Sequence, residues 1–140
     1  MSRLPRVQEN LKAGFTAEAA SAARYRAYSR RAEKDGLPNL AAHWNDLARQ
    51  KDDLAVLQLE AAGKVRGSAL DLEAELAEER YENEVLYPKL IALSPEAAET
   101  FKKVIAEQAG HLARMESLRE SLTASPSDAP ALAGVASTAR

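Results

Sequence analysis

Four places along this chain set ionisable or amide side chains among residues whose spacing reads as buried: Glu18, Lys51, Glu79 with Glu82, and Gln108 with His111. Successive members (Glu18, Lys51, Glu79, Gln108) lie 33, 28 and 29 residues apart, about one helix plus one loop each time. Antiparallel neighbours with that spacing bring all four to a similar height. A buried carboxylate without a partner is strongly disfavoured, so these groups must meet one another, water or a metal ion. Carboxylates and imidazoles projecting inward from four helices can hold a dinuclear iron or manganese centre. The carboxylates bridge the metals and balance their charge, and imidazole fills a terminal position. An ammonium among the same carboxylates forms a metal-free ion-pair network instead.

The elements that must position these groups are helices. Ala, Leu, Glu and Arg dominate the composition, and all are good helix formers. Aromatic residues make up only 5%, and no stretch alternates like a strand. Gly36-Leu37-Pro38-Asn39 ends one helix and starts another, and Gly63 and Gly67 bracket a second break. Ser68 with Asp71 has the pattern of a capping box. Ser94-Pro95-Glu96 supplies an N-cap, a proline for the first helical position and an acid for the first turn. The spacing predicts helices over 4–34, 39–62, 69–93 and 95–122, with Pro88 kinking the third or ending its regular part. Each carries an apolar stripe at three- and four-residue steps. The first runs from Leu4 through Phe15 and Tyr25 to Ala32. The second holds Leu40, Trp44, Leu47, Leu54 and Leu57, the third Leu72, Leu76, Leu86 and Leu90, the fourth Phe101, Val104, Met115 and Leu118. The expected fold is all-α, one four-helix bundle over residues 1–122 around a shared core. An Ala-, Ser- and Pro-rich tail, 123–140, is expected to be disordered.

Several function classes fall away. A net charge of −2 gives no nucleic-acid surface. The absence of cysteine removes disulfides, thiolate metal sites and cysteine nucleophiles. No apolar run approaches the ~18–20 residues that cross a bilayer, and Met1 to Gly14 holds no apolar signal core. The expected location is the cytoplasm, with neither membrane nor nucleic acid as partner.

At the polar band the chain resembles the rubrerythrin branch of the ferritin-like diiron-carboxylate superfamily, over about residues 8–122. Glu-Asn-Leu-Lys-Ala-Gly-Phe-Thr-Ala-Glu (9–18) followed by Ala-Arg-Tyr (23–25) is similar to the family's opening segment, with Glu18 on its first ligand. Glu79-Arg-Tyr-Glu82 followed by Tyr87-Pro88 looks like its paired-glutamate helix. His111 falls on the histidine of the final Glu-x-x-His. The resemblance implies a ferritin-like bundle, and a metal set drawn from Glu18, Glu79, Glu82, Gln108 and His111 with iron or another divalent metal. Two bridging carboxylates depart from the pattern. Lys51 and Leu54 stand where the second helix should present Glu and His, and Gln108 stands where the fourth should present Glu.

Lys51 divides the readings. In one, its ammonium pairs with Glu18, Glu79 and Glu82 and no metal binds. In another, Glu79, Glu82 and His111 hold a single metal, with Gln108 as a weaker donor. In a third, a full dinuclear centre recruits Asp52, Asp53 or Glu107, which requires a register shift. A catalytic Lys51 with a pKa altered by burial and acids is a further option. The matching functions are a metal-free, non-peroxidase relative, a single-metal binding protein, and an oxidoreductase that reduces peroxide or oxidises iron. Tyr25, Tyr28, Tyr81 and Tyr87 read as packing residues or, as in related oxidases, radical positions. Arg24, Arg26, Arg30 and Arg31 read as a solvated basic helix end. The link Gly63 to Ser68 spans only about 20 Å when extended. A parallel crossover between the second and third helices needs roughly 30 Å. The helices therefore form an up-down hairpin or exchange pairs between two chains, and the expected state is a homodimer.

Overall fold

Glycines in the left-handed region end the first two helices as the breaks predict. In the computed structural model, which describes residues 4–124 and 128–133 (the side chains of Leu4 and Pro5 apart), α1 runs Leu4–Lys34 and α2 runs Pro38–Ala61. At φ 73°, Gly36 donates to the Glu33 carbonyl at 3.1 Å while Leu37 donates to Ala32 at 2.9 Å. Gly63, at φ 72°, repeats this pair of bonds after α2 with Glu60 and Leu59. Both ends are Schellman motifs, which satisfy carbonyls that the helix leaves without partners.

Two compact units divide the chain, Met1–Arg66 and Gly67–Arg140. The first is the α1–α2 hairpin. Its seam is built from small residues: Ala41, Ala48 and Ala55 recur every seven positions on α2, Ala62 continues the row as its C-cap, and all four are 0–3% exposed. Ala22, Ser29 and Ala32 answer them from α1 and are also buried. Small side chains let the two backbones approach closely. Ser29 Oγ donates to the Ala41 carbonyl at 2.9 Å, and Gln8 Nε2 donates to the carbonyl of Ala62 at 3.1 Å. Gly14 packs directly under the Gln58 side chain, where a Cβ would collide with the Gln58 amide. The expected leucine stripe is not the seam. Leu40, Leu47 and Leu54 stay 42–45% exposed, because the alanine row beside them faces α1.

The second unit joins α3 (Ser68–Tyr81), a π-helical turn (Glu82–Leu86) and α4 (Tyr87–Leu93), then a 3₁₀ turn (Pro95–Ala97) leads into α5 (Ala98–Ala124). Pro88 accounts for the π turn. It has no N–H to give, and its ring would collide with the carbonyl four residues back, that of Glu84. Widening the turn upstream avoids the collision, and Tyr87 N–H reaches back five residues to the Glu82 carbonyl. The helix is interrupted there but continues to Leu93. At the start of α3, Gly67 rather than Ser68 is the cap residue, and its N–H donates to Asp71 Oδ2 at 3.3 Å. Ser94 precedes the 3₁₀ turn, but its side chain makes no capping bond. Leu76 is the large apolar side chain that this unit encloses, at 2% exposure.

No helix of the described residues is long and apolar enough to cross a membrane. Helix α5 reaches Ala124, and residues 128–133 form no helix or strand. The rest of the tail expected over 123–140 lies outside the described residues, as does the side chain of Leu4.

Candidate functional site

The polar residues predicted as one band make their contacts within the two hairpins separately. In the first, Glu18 sits one turn before buried Ala22, and Lys51 lies between buried Ala48 and Ala55. Both side chains therefore emerge at the edge of the alanine seam, and Lys51 Nζ meets Glu18 Oε2 at 2.8 Å. Direct contact with the Glu18 carboxylate raises the lysine pKa above its ordinary value. Partial burial pulls the other way and is outweighed. The ammonium is thus protonated throughout the neutral range, the opposite of the depressed pKa that an amine nucleophile uses. Leu54, in the place of the expected histidine, is one of the exposed leucines. Asp52 and Asp53 are exposed. Asp52 lines a separate shallow hollow with Arg26, Asn45 and Arg49.

In the second hairpin, Glu82 Oε1 accepts a 3.1 Å hydrogen bond from Gln108 Nε2. A carboxylate only accepts, so Gln108 must turn its NH₂ toward Glu82 and its carbonyl away. That carbonyl, Gln108 Oε1, is enclosed without a hydrogen-bond partner among the described residues, as are Glu79 Oε2 and Asn83 Oδ1. Glu79 approaches His111 Nδ1 only to 3.8 Å, too far for a hydrogen bond. The Glu79 side chain is 17% exposed and that of His111 55%. Glu79, Gln108 and His111 line an open depression of about 410 Å³ with Thr100, Lys103, Val104 and Glu107. Among the described residues, no three His, Cys, Asp or Glu side chains stand close enough to hold a metal ion.

Asn83 was not expected here. The π turn directs it toward α5, where its Nδ2 donates to the Ile105 carbonyl at 3.0 Å. Pro88, five residues on, is the sequence signal for that turn. Glu75 also belongs to the acidic side of α3. Desolvation, then the charges of Glu79, Glu82 and Glu78, raise its pKa above the ordinary 4.5. An acid with a raised folded pKa favours the folded state most when protonated, and that advantage is lost as pH rises through the folded pKa. Glu75→Gln is expected to raise the thermal midpoint at pH 7. The gain, about 0.2–0.5 kcal/mol for removing a like-charge neighbour one turn away, disappears in melts below pH 4.5.

The aromatic residues pack. Trp44 lies 5.0 Å from Tyr25 and 5.2 Å from Tyr28, ring centre to ring centre, and Tyr87 lies 5.9 Å from Phe101. Tyr81 is exposed. At the end of α1, Arg31 pairs with Asp35 at 3.1 Å in solvent, and Arg24 donates to Ser21 Oγ at 2.9 Å. Comparison of the chain with known protein families, curated proteins and solved structures finds no match.

Proposed function

We propose that this chain is a metal-free, non-peroxidase relative of the rubrerythrin-like, ferritin-type bundles. In this reading a lysine ammonium takes the place of the cation that bridging carboxylates would otherwise hold. The 2.8 Å contact between Lys51 Nζ and Glu18 Oε2 carries the proposal. A protonated ammonium and a divalent cation compete for the same carboxylate, so Glu18 held by Lys51 is a poor metal ligand. With Leu54 in place of histidine, the first hairpin supplies Glu18 as its remaining ligand of the expected set. A dinuclear centre does not fit these residues, and no redox step is assigned to them. The role left to such a chain is dimerisation or contact with a partner.

A second reading rests on the other hairpin. Glu79 Oε2 and Gln108 Oε1 are enclosed acceptors without donors, and one divalent ion would satisfy them only if Glu79, Glu82 and His111, which do not stand close enough to hold an ion as they are, closed around it. Metal analysis separates the two. Protein purified without added metal is expected to hold no stoichiometric metal, and Lys51→Glu with Leu54→His is expected to gain it. Two metals per chain in the native protein would overturn the metal-free reading. One metal, lost on His111→Ala, would select the single-ion site.

A further inference from the structure

The alanine row of α2 has two flanks. Trp44 and Lys51 lie on one, beside Tyr25 and Glu18 of α1. Asn45 and Asp52 stand seven residues apart on the other, with Arg49 between them in sequence. Arg26, one turn after buried Ala22, comes to this second flank from α1. Arg26, Asn45, Arg49 and Asp52 wall a hollow of about 350 Å³ over buried Ala48. Small-molecule sites run from ~300 to 1,000 Å³, so this one suits a ligand of few atoms.

The charges lining the hollow do not neutralise one another by contact. Arg49 Nη2 pairs with Asp46 Oδ1 at 2.8 Å, and Gln50 Nε2 donates to Asp46 Oδ2 at 3.0 Å. Asp46 does not line the hollow, and it balances Arg49 from outside. Arg26 and Asp52 are left, one cation and one anion on the same space. Neither side chain makes a hydrogen bond or ion pair with another described residue, and nor does the Asn45 amide. A simple anion would meet the Asp52 carboxylate, and a simple cation would meet two guanidinium groups. A molecule that carries both charges meets each with its opposite.

We propose that this hollow binds a small zwitterion of the free α-amino-acid class. Its carboxylate lies on the Arg26 guanidinium, whose planar fork matches two carboxylate oxygens. Its ammonium donates to Asp52. The Asn45 amide, with a donor and an acceptor, can serve either end. The Ala48 methyl group leaves the floor apolar and short, which admits the ligand's α-carbon. The site uses neither Lys51 nor Glu18, so it stands whether or not the chain binds metal. Exposed ion pairs are weak, and binding is expected in the millimolar range.

Three probes that differ in one charge each test this. The full chain, labelled with ¹⁵N, is titrated at pH 7 and constant ionic strength with glycine, with N-acetylglycine, which lacks the ammonium, and with glycinamide, which lacks the carboxylate. Glycine is expected to shift the backbone signals of Arg26, Asn45, Arg49 and Asp52 in a saturable way. The other two are expected to bind at least ~10-fold more weakly. Arg26→Gln and Asp52→Asn are each expected to weaken glycine binding at least ~10-fold at unchanged helix content. Asp52→Asn, with its repulsion gone, is expected to bind N-acetylglycine more tightly than the wild type does, which a merely structural role for Asp52 would not produce. Absence of saturable shifts with glycine overturns the inference. So do equal affinities for the three probes, or a folded variant that binds glycine as tightly as wild type. If a variant loses helix content, the three-probe comparison on the wild type decides alone.

Discussion

Leu76→Ala is expected to destabilise the second hairpin by about 2–5 kcal/mol, read as a shift in the urea midpoint at unchanged slope. Leu76 is the one large apolar side chain of the described residues that is fully enclosed, at 2% exposure. Most other large apolar residues of that unit are half-buried or exposed, so they have less contact to lose. Truncation removes the transfer energy of the lost carbons and leaves a cavity between α3 and α5 that the neighbours fill incompletely. Domains are typically stable by only ~5–15 kcal/mol, so this one change takes a large share of the total. A loss below about 1 kcal/mol would mean that Leu76 is not where α3 is anchored.

Ala55→Leu in the first hairpin is expected to cost about 1–3 kcal/mol or more, while Val56→Ala next to it stays within about 0.5 kcal/mol. Ala55 is 2% exposed in the seam and Val56 is 46% exposed beside it. Added carbons at Ala55 have no space, because α1 and α2 meet through alanine and serine. They would force the helices apart, which also strains the bond from Ser29 to the Ala41 carbonyl. At Val56 the loss of a half-exposed side chain is offset by the better helix propensity of alanine. Thermal melts of the two variants side by side test this. Equal effects would contradict an alanine seam.

The helices were legible because their signals are local. Gly36 and Gly63 terminate α1 and α2 through bonds that span only a few residues, and Pro38 and Pro95 sit at starts where their missing N–H is no loss. Which stripe of α2 is buried was not legible. The leucine row and the alanine row both recur every seven residues. Hydrophobicity points to the leucines, whereas close approach of two backbones selects the alanines. Asn83 shows the same limit. Pro88 marks a disturbance in the helix, but only the resulting π turn brings that amide to the Ile105 carbonyl.

For the candidate site, the chain itself determined which groups carry charge at the predicted band and that a lysine stands among its carboxylates. Residue type is a covalent property and needs no fold to be read. Tertiary structure decided the pairing: Lys51 with Glu18 at 2.8 Å, Gln108 with Glu82 at 3.1 Å, and Glu79 left with His111 at 3.8 Å. It also decided which oxygens end up enclosed without donors. Such distances depend on how residues some 26–33 positions apart are brought together by helix packing, and an error of one residue in register turns a side chain by about 100° around its helix.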